Sequence, residues 1–311
     1  MYVVEFMDTK DLVQTRLREV FGDDSIVFDR SRFVGGLTNY NYRMTIGGAD
    51  YVVREPGLMT EEIIDRHIER VNMGIASELG ITSACIYFDE KSGMKISRYI
   101  DSLNFALCDP CAPKNLEAVA RLTKMLHTSG KRFSNVFDWR SELEKYERVT
   151  ASLKGVLPFE YPDLRDRLYA FFDRNIKSQV LLPCHNDTVP ENFLVDKSGR
   201  CYLIDWEYSG MNDPAWDVAA YIVESRLSGE AVRTLIDSYY SDGVTSEELI
   251  RIKCYVMAQD LLWSTWALIR HYGGEDFLDY YSIRYTRFKR NLNALERSRS
   301  YKLADMVKPV K

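Results

Sequence analysis

Three polar residues at fixed spacing constrain the fold of this chain more than any other feature. Asp187 and Asn192 are five positions apart, in a segment between two apolar runs. A second aspartate, Asp205, directly follows the next apolar run, residues 202–204. Short apolar runs of this kind predict strands, so Asp187 and Asn192 are expected in a loop and Asp205 at a strand end. The pattern carries meaning only if the fold brings the three side chains together.

These residue types are suited to phosphoryl transfer. A carboxylate can orient an attacking hydroxyl, while an asparagine and a second aspartate hold Mg²⁺ against nucleotide phosphates. The spacing, preceded by His185, matches a kinase signature. Taken singly, Asp187 could cap a loop, Asn192 could satisfy a turn and Asp205 could be a surface acid, so the joint occurrence is what indicates the site. We expect His185 to hold the loop by hydrogen bonds rather than to act as base or ligand.

Composition narrows the class of protein. The chain has 311 residues, of which 46% are hydrophobic and 28% charged, as expected of a globular protein with a full-sized core. A net charge of -5 argues against a general nucleic-acid binder. The sequence contains no apolar stretch long enough for a membrane span, and its start does not read as a secretory signal. We therefore expect neither a nucleic-acid nor a membrane partner, and the oligomeric state is left open.

Cysteine usage points to a reducing compartment. The chain has six cysteines and no export signal, which favours free, packed thiols and a cytoplasmic location. Cys108 and Cys111 form a C-x-x-C pair, but no second pair follows it. A closed zinc site needs four ligands, so none is expected here.

Hydrophobic periodicity predicts an α+β chain with two lobes. Residues 1–100 read as an N-terminal lobe in which an antiparallel sheet is combined with a helix, and residues 101–311 as a larger, mainly helical lobe. Predicted strands in the first lobe are residues 26–28, 40–46, 51–54, 84–88 and 94–99, with helices at 9–21 and 61–79. Predicted helices in the second are 116–129, 139–153, 162–176, 214–225, 229–240, 246–271 and 275–297, with strands near 180–205.

A glycine-containing loop between the first predicted strands is a candidate phosphate-binding loop. Gly35 and Gly36 would let the backbone approach anionic oxygens, and Thr38 and Asn39 can donate hydrogen bonds to them. A Gly-Gly pair alone is equally typical of a plain turn. Its place upstream of the strand-end cation Arg54 favours the phosphate-binding interpretation.

Arg54 ends the apolar run 51–53, where a kinase carries the cation that pairs with nucleotide phosphates. An arginine can do this as a planar fork. In the following helix, Glu69 is expected to brace Arg54, with Glu78 as the alternative. Glu61 and Glu62 suit the first helical turn, where they complement the helix dipole.

On these residues the chain resembles the choline/ethanolamine kinase family, within the larger aminoglycoside-phosphotransferase group, and is most similar to bacterial choline kinases. The matching segments lie between about residues 33 and 290. They are Gly-Gly-Leu-Thr-Asn at 35–39, Val-Val-Arg at 52–54, Cys-His-Asn-Asp at 184–187 through Asn192, Ile-Asp-Trp-Glu-Tyr-Ser at 204–209 and Asp-Pro-Ala-Trp-Asp at 213–217.

The resemblance implies a protein-kinase-like two-lobed fold with ATP between the lobes. Asp187 is then similar to the family's catalytic base, Asn192 and Asp205 to its metal ligands, and Arg54 with Glu69 to its phosphate-binding pair. Asp217 resembles a residue that braces the catalytic loop. A hinge whose backbone faces adenine is implied at Ser97, Tyr99 and Ile100.

Aromatic residues near the C-terminus suggest the second substrate. Trp263 and Trp266 are three apart and share a helix face, a spacing also typical of core packing. A trimethylammonium group donates no hydrogen bonds and is recognised by ring faces, whereas an aminoglycoside calls for acids. The family lines its alcohol pocket with Trp and Tyr from matching helices, which favours an aromatic cage. The expected substrate-binding residues are Trp206, Glu207, Tyr208, Glu224, Trp263, Trp266, Tyr280 and Arg284.

The expected reaction is transfer of the γ-phosphate of ATP to choline, which gives phosphocholine. A magnesium ion, Mg²⁺, is expected to bridge the phosphates. Related kinases of the same fold that act on ethanolamine, an aminoglycoside, thiamine or a sugar are alternatives. A further alternative is a catalytically silent nucleotide-binding protein, but the presence of Asp187, Asn192 and Asp205 argues against it.

Overall fold

The computed structural model describes residues 9–35, 39–57 and 63–309. The chain divides into two compact units, Met1–Asp101 and Ser102–Lys311. The first unit is built on an antiparallel sheet and the second is mainly helical, so the predicted α+β class is confirmed. The assignment of nucleotide binding to residues 1–100 and of catalysis to 101–311 stays a prediction.

The first unit begins with a helix that packs on one face of the sheet. Its elements are α1 (Thr9–Phe21), β1 (Phe33–Gly35), β2 (Asn39–Ile46), β3 (Ala49–Pro56), α2 (Arg66–Glu78), β4 (Cys85–Phe88) and β5 (Lys95–Arg98), and the strand order is β1-β2-β3-β5-β4. Leu17 of α1 packs with Val53 and Ile96 of the sheet. Gly47 and Gly48 join β2 to β3 with φ of 58° and 76°, a left-handed conformation that glycine adopts without strain.

Two sequence predictions for this unit needed adjustment. The strand expected at residues 26–28 is not one, and the chain there runs into a 3₁₀ turn, Arg30–Arg32. Ile26 and Phe28 are nevertheless buried in the core, so their apolar character reflects packing rather than sheet pairing. The helix expected at 61–79 is α2, which begins after Asp65 because the Asp65 carboxylate accepts the backbone N–H groups of His67 and Ile68.

The second unit places short strands among long helices. Its elements are β6 (Ser102–Asn104), α3 (Pro113–His127), α4 (Trp139–Ser152), α5 (Tyr161–Asn175), β7 (Leu182–Cys184), β8 (Phe193–Asp196), β9 (Cys201–Leu203), β10 (Gly210–Asn212), α6 (Ala215–Glu224), α7 (Gly229–Tyr239), α8 (Ser246–Tyr272), α9 (Leu278–Arg297) and α10 (Leu303–Met306). β7 pairs with β10, and β6, β8 and β9 form a second sheet. These sheets position the loops that carry Asp187 and Asp205.

Helix α8 is the centre of this unit. It starts with a capping box between Thr245 and Glu248 and is buried almost continuously from Ile252 to Arg270. Helices α4, α5, α6 and α9 all pack against it. No helix in the described part of the chain is long and apolar enough to cross a membrane.

Candidate active site

The loop after β7 brings Asp187 and Asn192 into direct contact. The Asn192 side-chain amide donates to the backbone carbonyl of Asp187 at 2.9 Å and to its carboxylate at 3.0 Å. A 3₁₀ turn, Pro190–Asn192, closes the loop just before β8. Because both bonds use the amide nitrogen, the Asn192 amide oxygen remains available as a ligand.

Asp217 braces this loop from the first turn of α6. Its carboxylate accepts the backbone N–H groups of His185 at 2.8 Å and Asn186 at 2.7 Å, and it lies 3.0 Å from His127 Nε2. The Thr188 hydroxyl donates to the Asp217 carbonyl at 2.6 Å. The predicted bracing role of Asp217 is confirmed by these contacts.

His185 links the two halves of the site. Its Nδ1 accepts the Asp187 backbone N–H at 3.3 Å, and its Nε2 lies 2.9 Å from the Ile204 carbonyl, so Nε2 carries the proton. Burial lowers the pKa of the ring, which keeps it neutral. The prediction that His185 is a hydrogen-bonding scaffold is confirmed.

Backbone conformation singles out two positions in these loops. Asn186 has φ of 68° and Asp205 φ of 67°, in the left-handed region that non-glycine residues seldom adopt. Asp205 directly follows Ile204, whose carbonyl contacts His185. Such strain is concentrated at functional sites, where surrounding contacts hold it.

Negative charge gathers around Asp187. Asp187 is partly accessible, but dense packing removes much of its hydration and raises the pKa of its carboxyl group well above the ordinary value. The charges of Asp205, Glu224 and Glu207 raise that pKa further, and the hydrogen bond from Asn192 opposes them. A cation placed among these acids would be strongly favoured.

In the first unit, Arg54 pairs with Glu69. The two donor–acceptor distances are 2.5 and 2.9 Å, and the side chains are 2% and 0% exposed. Glu78, the alternative partner, lies exposed at the end of α2. Arg66 at 2.7 Å and Lys95 at 3.2 Å also contact the Glu69 carboxylate. The pairing with Glu69 is confirmed, and the two further cations were not predicted.

The candidate phosphate-binding loop joins this cluster at one end. Asn39 begins β2, is buried, and its side-chain oxygen accepts from Arg66 at 3.1 Å. Gly35 ends β1. Gly36 and Thr38 lie outside the described residues, so their expected contacts with phosphate stay predictions.

Part of the expected hinge is engaged in contacts within the first unit. Ser97 lies in β5 opposite Val52. The Tyr99 N–H donates to the Asp50 carbonyl at 3.0 Å. Any backbone contact with adenine must therefore use groups other than the Tyr99 N–H.

Five rings meet beside the Asp187 loop in what we call the aromatic cluster. Neighbouring ring centroids are 5.0 to 6.3 Å apart, at interplanar angles of 65° to 90°. The members are Tyr208, Trp263, Trp266, Phe277 and Tyr280. The Asn186 side chain donates to the Tyr208 carbonyl at 2.9 Å, which connects the cluster to the Asp187 loop.

Trp206 does not fit the role expected of it. Its ring is 1% exposed, packs 4.7 Å from His185 and 6.2 Å from Phe133, and its indole N–H donates to the Leu203 carbonyl. These contacts make it a packing residue against His185 of the Asp187 loop. Phe277, absent from the predicted set, completes the aromatic cluster instead.

Charged residues near the cluster also have protein partners. Arg284 forms an ion pair with Glu224, lies 3.4 Å from Asp260, and its guanidinium is 4.5 Å from the centre of the Tyr280 ring. Glu207 is buried. Arg284 and Glu224 thus support the Tyr280 ring of the aromatic cluster. Direct contact of Arg284, Glu224 and Glu207 with substrate stays a prediction.

His127, Cys184 and Asp217 form a buried group with the composition of a metal site. Burial, with the charges of Asp217 and Asp213, raises the pKa of the Cys184 thiol well above its ordinary value, so it stays protonated. His127 Nδ1 lies 2.6 Å from the Tyr239 hydroxyl. His127 and Asp217 contact each other, and the Cys184 thiol donates to the Asn212 carbonyl at 3.4 Å, so all three side chains have protein partners and form a structural brace.

The second unit thus has the residue pattern of a phosphotransferase site of the protein-kinase kind, with an Asp and an Asn in a loop and an Asp after a strand. The first unit, taken by itself, has the strand cation paired with a helix Glu that this class also carries.

Comparisons with known proteins agree with this class of protein. The family model described as choline/ethanolamine kinase matches residues 31–234. Protein LicA of Haemophilus influenzae is 34% identical over 258 residues, covering 79% of this chain and 75% of that protein. The choline kinase LicA of Streptococcus pneumoniae has a TM-score of 0.78 at 30% identity, with 92% of this chain and 99% of that one covered. A structure of LicA in complex with AMP has a TM-score of 0.80 at 29% identity, covering 93% and 99%.

The chain belongs to the choline/ethanolamine kinase family. The predicted resemblance and the protein-kinase-like fold are confirmed. As a member of this family, the chain is an ATP-dependent phosphotransferase that acts on the hydroxyl group of a small molecule.

Proposed function

We propose that this enzyme transfers the γ-phosphate of ATP to the hydroxyl of choline, giving phosphocholine and ADP. The observation that carries the proposal is the aromatic cluster, whose rings stand nearly at right angles beside the Asp187 loop. The similarity to LicA choline kinases supports the same substrate.

The chemistry of the cluster suits a quaternary ammonium group. Ring faces attract a cation that has no hydrogen to donate, and each contributes about 0.5 to 2 kcal/mol when desolvated. The nearby Glu224 is already neutralised by Arg284, so it is a weak partner for a primary ammonium. Choline therefore fits this wall better than ethanolamine does.

Asp187 is proposed as the residue that accepts the substrate hydroxyl's hydrogen bond and orients the oxygen for in-line attack. Its raised pKa makes it a better proton acceptor as the phosphorus–oxygen bond forms. The hydrogen bond from Asn192 holds the carboxylate in one orientation. The alcohol would thus be held by residues of the second unit.

The donor set fits Mg²⁺. The two hydrogen bonds of Asn192 to Asp187 use its amide nitrogen and leave its amide oxygen as a ligand, and Asp205 supplies a carboxylate. Such oxygen ligands are those that magnesium prefers. When bound, the ion would offset the charge of the transferring phosphate. Asn192 and Asp205 are the residues proposed to hold it.

In the first unit, Arg54 is proposed to offset phosphate charge, with Glu69 fixing its orientation. Gly35, Gly36, Thr38 and Asn39 would line the phosphates, and Ser97, Tyr99 and Ile100 the adenine. The cytoplasmic location stays a prediction from sequence.

The test is ADP release in the presence of Mg²⁺ with choline, ethanolamine, an aminoglycoside, thiamine and a sugar as acceptors. We expect choline to be preferred by kcat/KM. Trp263→Ala should raise the KM for choline by about 2- to 30-fold, the equivalent of one lost ring face. The matched control is Tyr272→Ala, an exposed aromatic at the end of the same helix.

Three outcomes would contradict the proposal. A preference for another acceptor, or a choline KM that Trp263→Ala leaves unchanged, would remove the aromatic cluster from choline recognition. The absence of ADP release with every acceptor would favour the catalytically silent alternative.

A further inference from the structure

Asp260 on α8 is a fully buried acid that the proposed reaction does not use. Its carboxylate accepts two hydrogen bonds from the guanidinium of Arg287 on α9, at 2.8 and 2.5 Å. Arg284, on the same helix, lies 3.4 Å from one of the same carboxylate oxygens. Replacing a buried ion pair with apolar side chains of similar size is often neutral or stabilising, so stability alone does not explain this group.

Arg284 connects Asp260 to the aromatic cluster. Its guanidinium lies 4.5 Å from the centre of the Tyr280 ring, and it also pairs with Glu224, the last residue of α6. Tyr280 is four residues before Arg284 on α9, so the two side chains share a helix face. The guanidinium that packs on Tyr280 is therefore held between two acids, Glu224 and Asp260.

Asp260 also joins the two helices that carry most of the rings. It is three residues before Trp263 on α8, so these two side chains lie on the same side of that helix. Its partner Arg287 lies on α9, two turns after Tyr280. A bidentate bond between an arginine and a carboxylate fixes the distance and the angle between the two groups as well as balancing their charge. The pair thus restrains α9 relative to the rings of α8.

We propose that Asp260 is a positioning residue for the alcohol acceptor: it holds Arg284 against Tyr280 and thereby sets the spacing between the rings of α8 and α9 that receive the cation. Asp260 does not touch the substrate and acts through Arg284. The inference rests on the proposed function, since it concerns the cationic end of the acceptor. Loss of Asp260 should therefore weaken binding of that cation and leave ATP binding unchanged.

Two variants separate positioning from charge balance. Asp260→Leu has a similar shape and removes the carboxylate, which leaves Arg287 without its counter-ion. The double variant Asp260→Leu, Arg287→Met removes that unpaired charge as well, while Arg284 keeps Glu224 as its partner. Urea midpoints, the KM values for choline and for ATP, and inhibition by tetramethylammonium are measured for both in the full chain. Tetramethylammonium carries the cation without the hydroxyl.

We expect Asp260→Leu to raise the KM for choline and the inhibition constant of tetramethylammonium by about 2- to 30-fold, the equivalent of one lost ring face, with the KM for ATP unchanged. Its urea midpoint should fall, because a buried cation is left unpaired. In the double variant the midpoint should recover most of this loss, whereas the two constants for the cation should stay raised.

Glu147→Gln is the matched control. It breaks the ion pair of Glu147 with Arg165, 3.0 Å apart, which joins α4 and α5 in the same unit. This variant should leave the two KM values and the inhibition constant as they are in the wild type.

A choline KM that returns to the wild-type value together with the urea midpoint in the double variant would overturn the inference, because the role of Asp260 would then be structural. Unchanged inhibition by tetramethylammonium in both variants would overturn it too. If the wild type prefers an alcohol other than choline, the proposed function fails separately. The KM values of both variants for that alcohol, compared with those for ATP, then decide the role of Asp260.

Discussion

Replacing Glu69 with glutamine should destabilise the first unit strongly. Glu69 is fully buried and its carboxylate contacts Arg54, Arg66 and Lys95 at 2.5 to 3.2 Å. Removing this charge leaves buried cations without their shared counter-ion. Breaking a buried pair in this way costs about 3 to 5 kcal/mol.

Urea unfolding followed by circular dichroism measures the effect. For an m-value of about 2 to 3 kcal/mol/M, the midpoint should fall by roughly 1 to 2.5 M. Glu78→Gln is the matched control, since it makes the same change on an exposed residue of α2 and should stay within about 0.5 kcal/mol of the wild type. The double variant Arg54→Met, Glu69→Met should lose less than the sum of its single changes, because it leaves fewer unpaired charges.

The pH dependence gives an independent check. Burial alone would raise the pKa of Glu69, but Arg54, Lys95 and Arg66 lower it well below its ordinary value of 4.5. A carboxyl group with a lowered folded-state pKa contributes stability above the unfolded pKa and loses it as the pH falls. The difference between wild type and Glu69→Gln should therefore narrow below about pH 4.5. A Glu69→Gln midpoint equal to that of Glu78→Gln, or a difference that grows on acidification, would refute the reasoning.

Three further predictions concern the catalytic loop. Asp187→Asn should lower kcat by about 10²- to 10⁴-fold while leaving ATP affinity nearly unchanged, as measured by turnover and by calorimetric titration with ATP; near-normal turnover would exclude Asp187 as the base. Asp217→Ala should lower the free energy of unfolding by about 1 to 3 kcal/mol for each orphaned N–H and depress kcat, since His185 and Asn186 lose their shared acceptor; an unchanged kcat would argue against bracing. Because burial lowers the pKa of His185, stability should fall as the pH drops below about 6.5, and His185→Gln should flatten that slope in urea titrations between pH 7.5 and 5.5; an equally steep slope in the variant would assign the effect elsewhere.

Short-range pattern was enough to predict much of the catalytic loop. Asp187 and Asn192 are near neighbours along the chain, so a loop of fixed length between β7 and β8 sets their distance with little help from the rest of the fold. The scaffold role of His185 followed from the same segment. Strand and helix periodicity likewise indicated the sheet of the first unit and the long helices of the second.

Contacts between segments far apart in the chain were harder to predict from the sequence. Glu69 and Glu78 lie on the same helix, α2, and only the packing of that helix places Glu69 in contact with Arg54. Trp206 looked suited to the aromatic cluster because it follows Asp205, yet its ring packs against His185. Phe277, which was not predicted, belongs to the aromatic cluster through its contacts with Trp266 and Tyr280.

The amino-acid sequence by itself determined the family, most of the secondary structure and the residue pattern of the Asp187 loop, because these depend on residue types at short, regular spacing. The tertiary structure alone decided which acid neutralises Arg54 and which rings form the aromatic cluster. The physical reason is that burial and mutual charge depend on the three-dimensional packing of segments far apart in the chain, which no local pattern specifies.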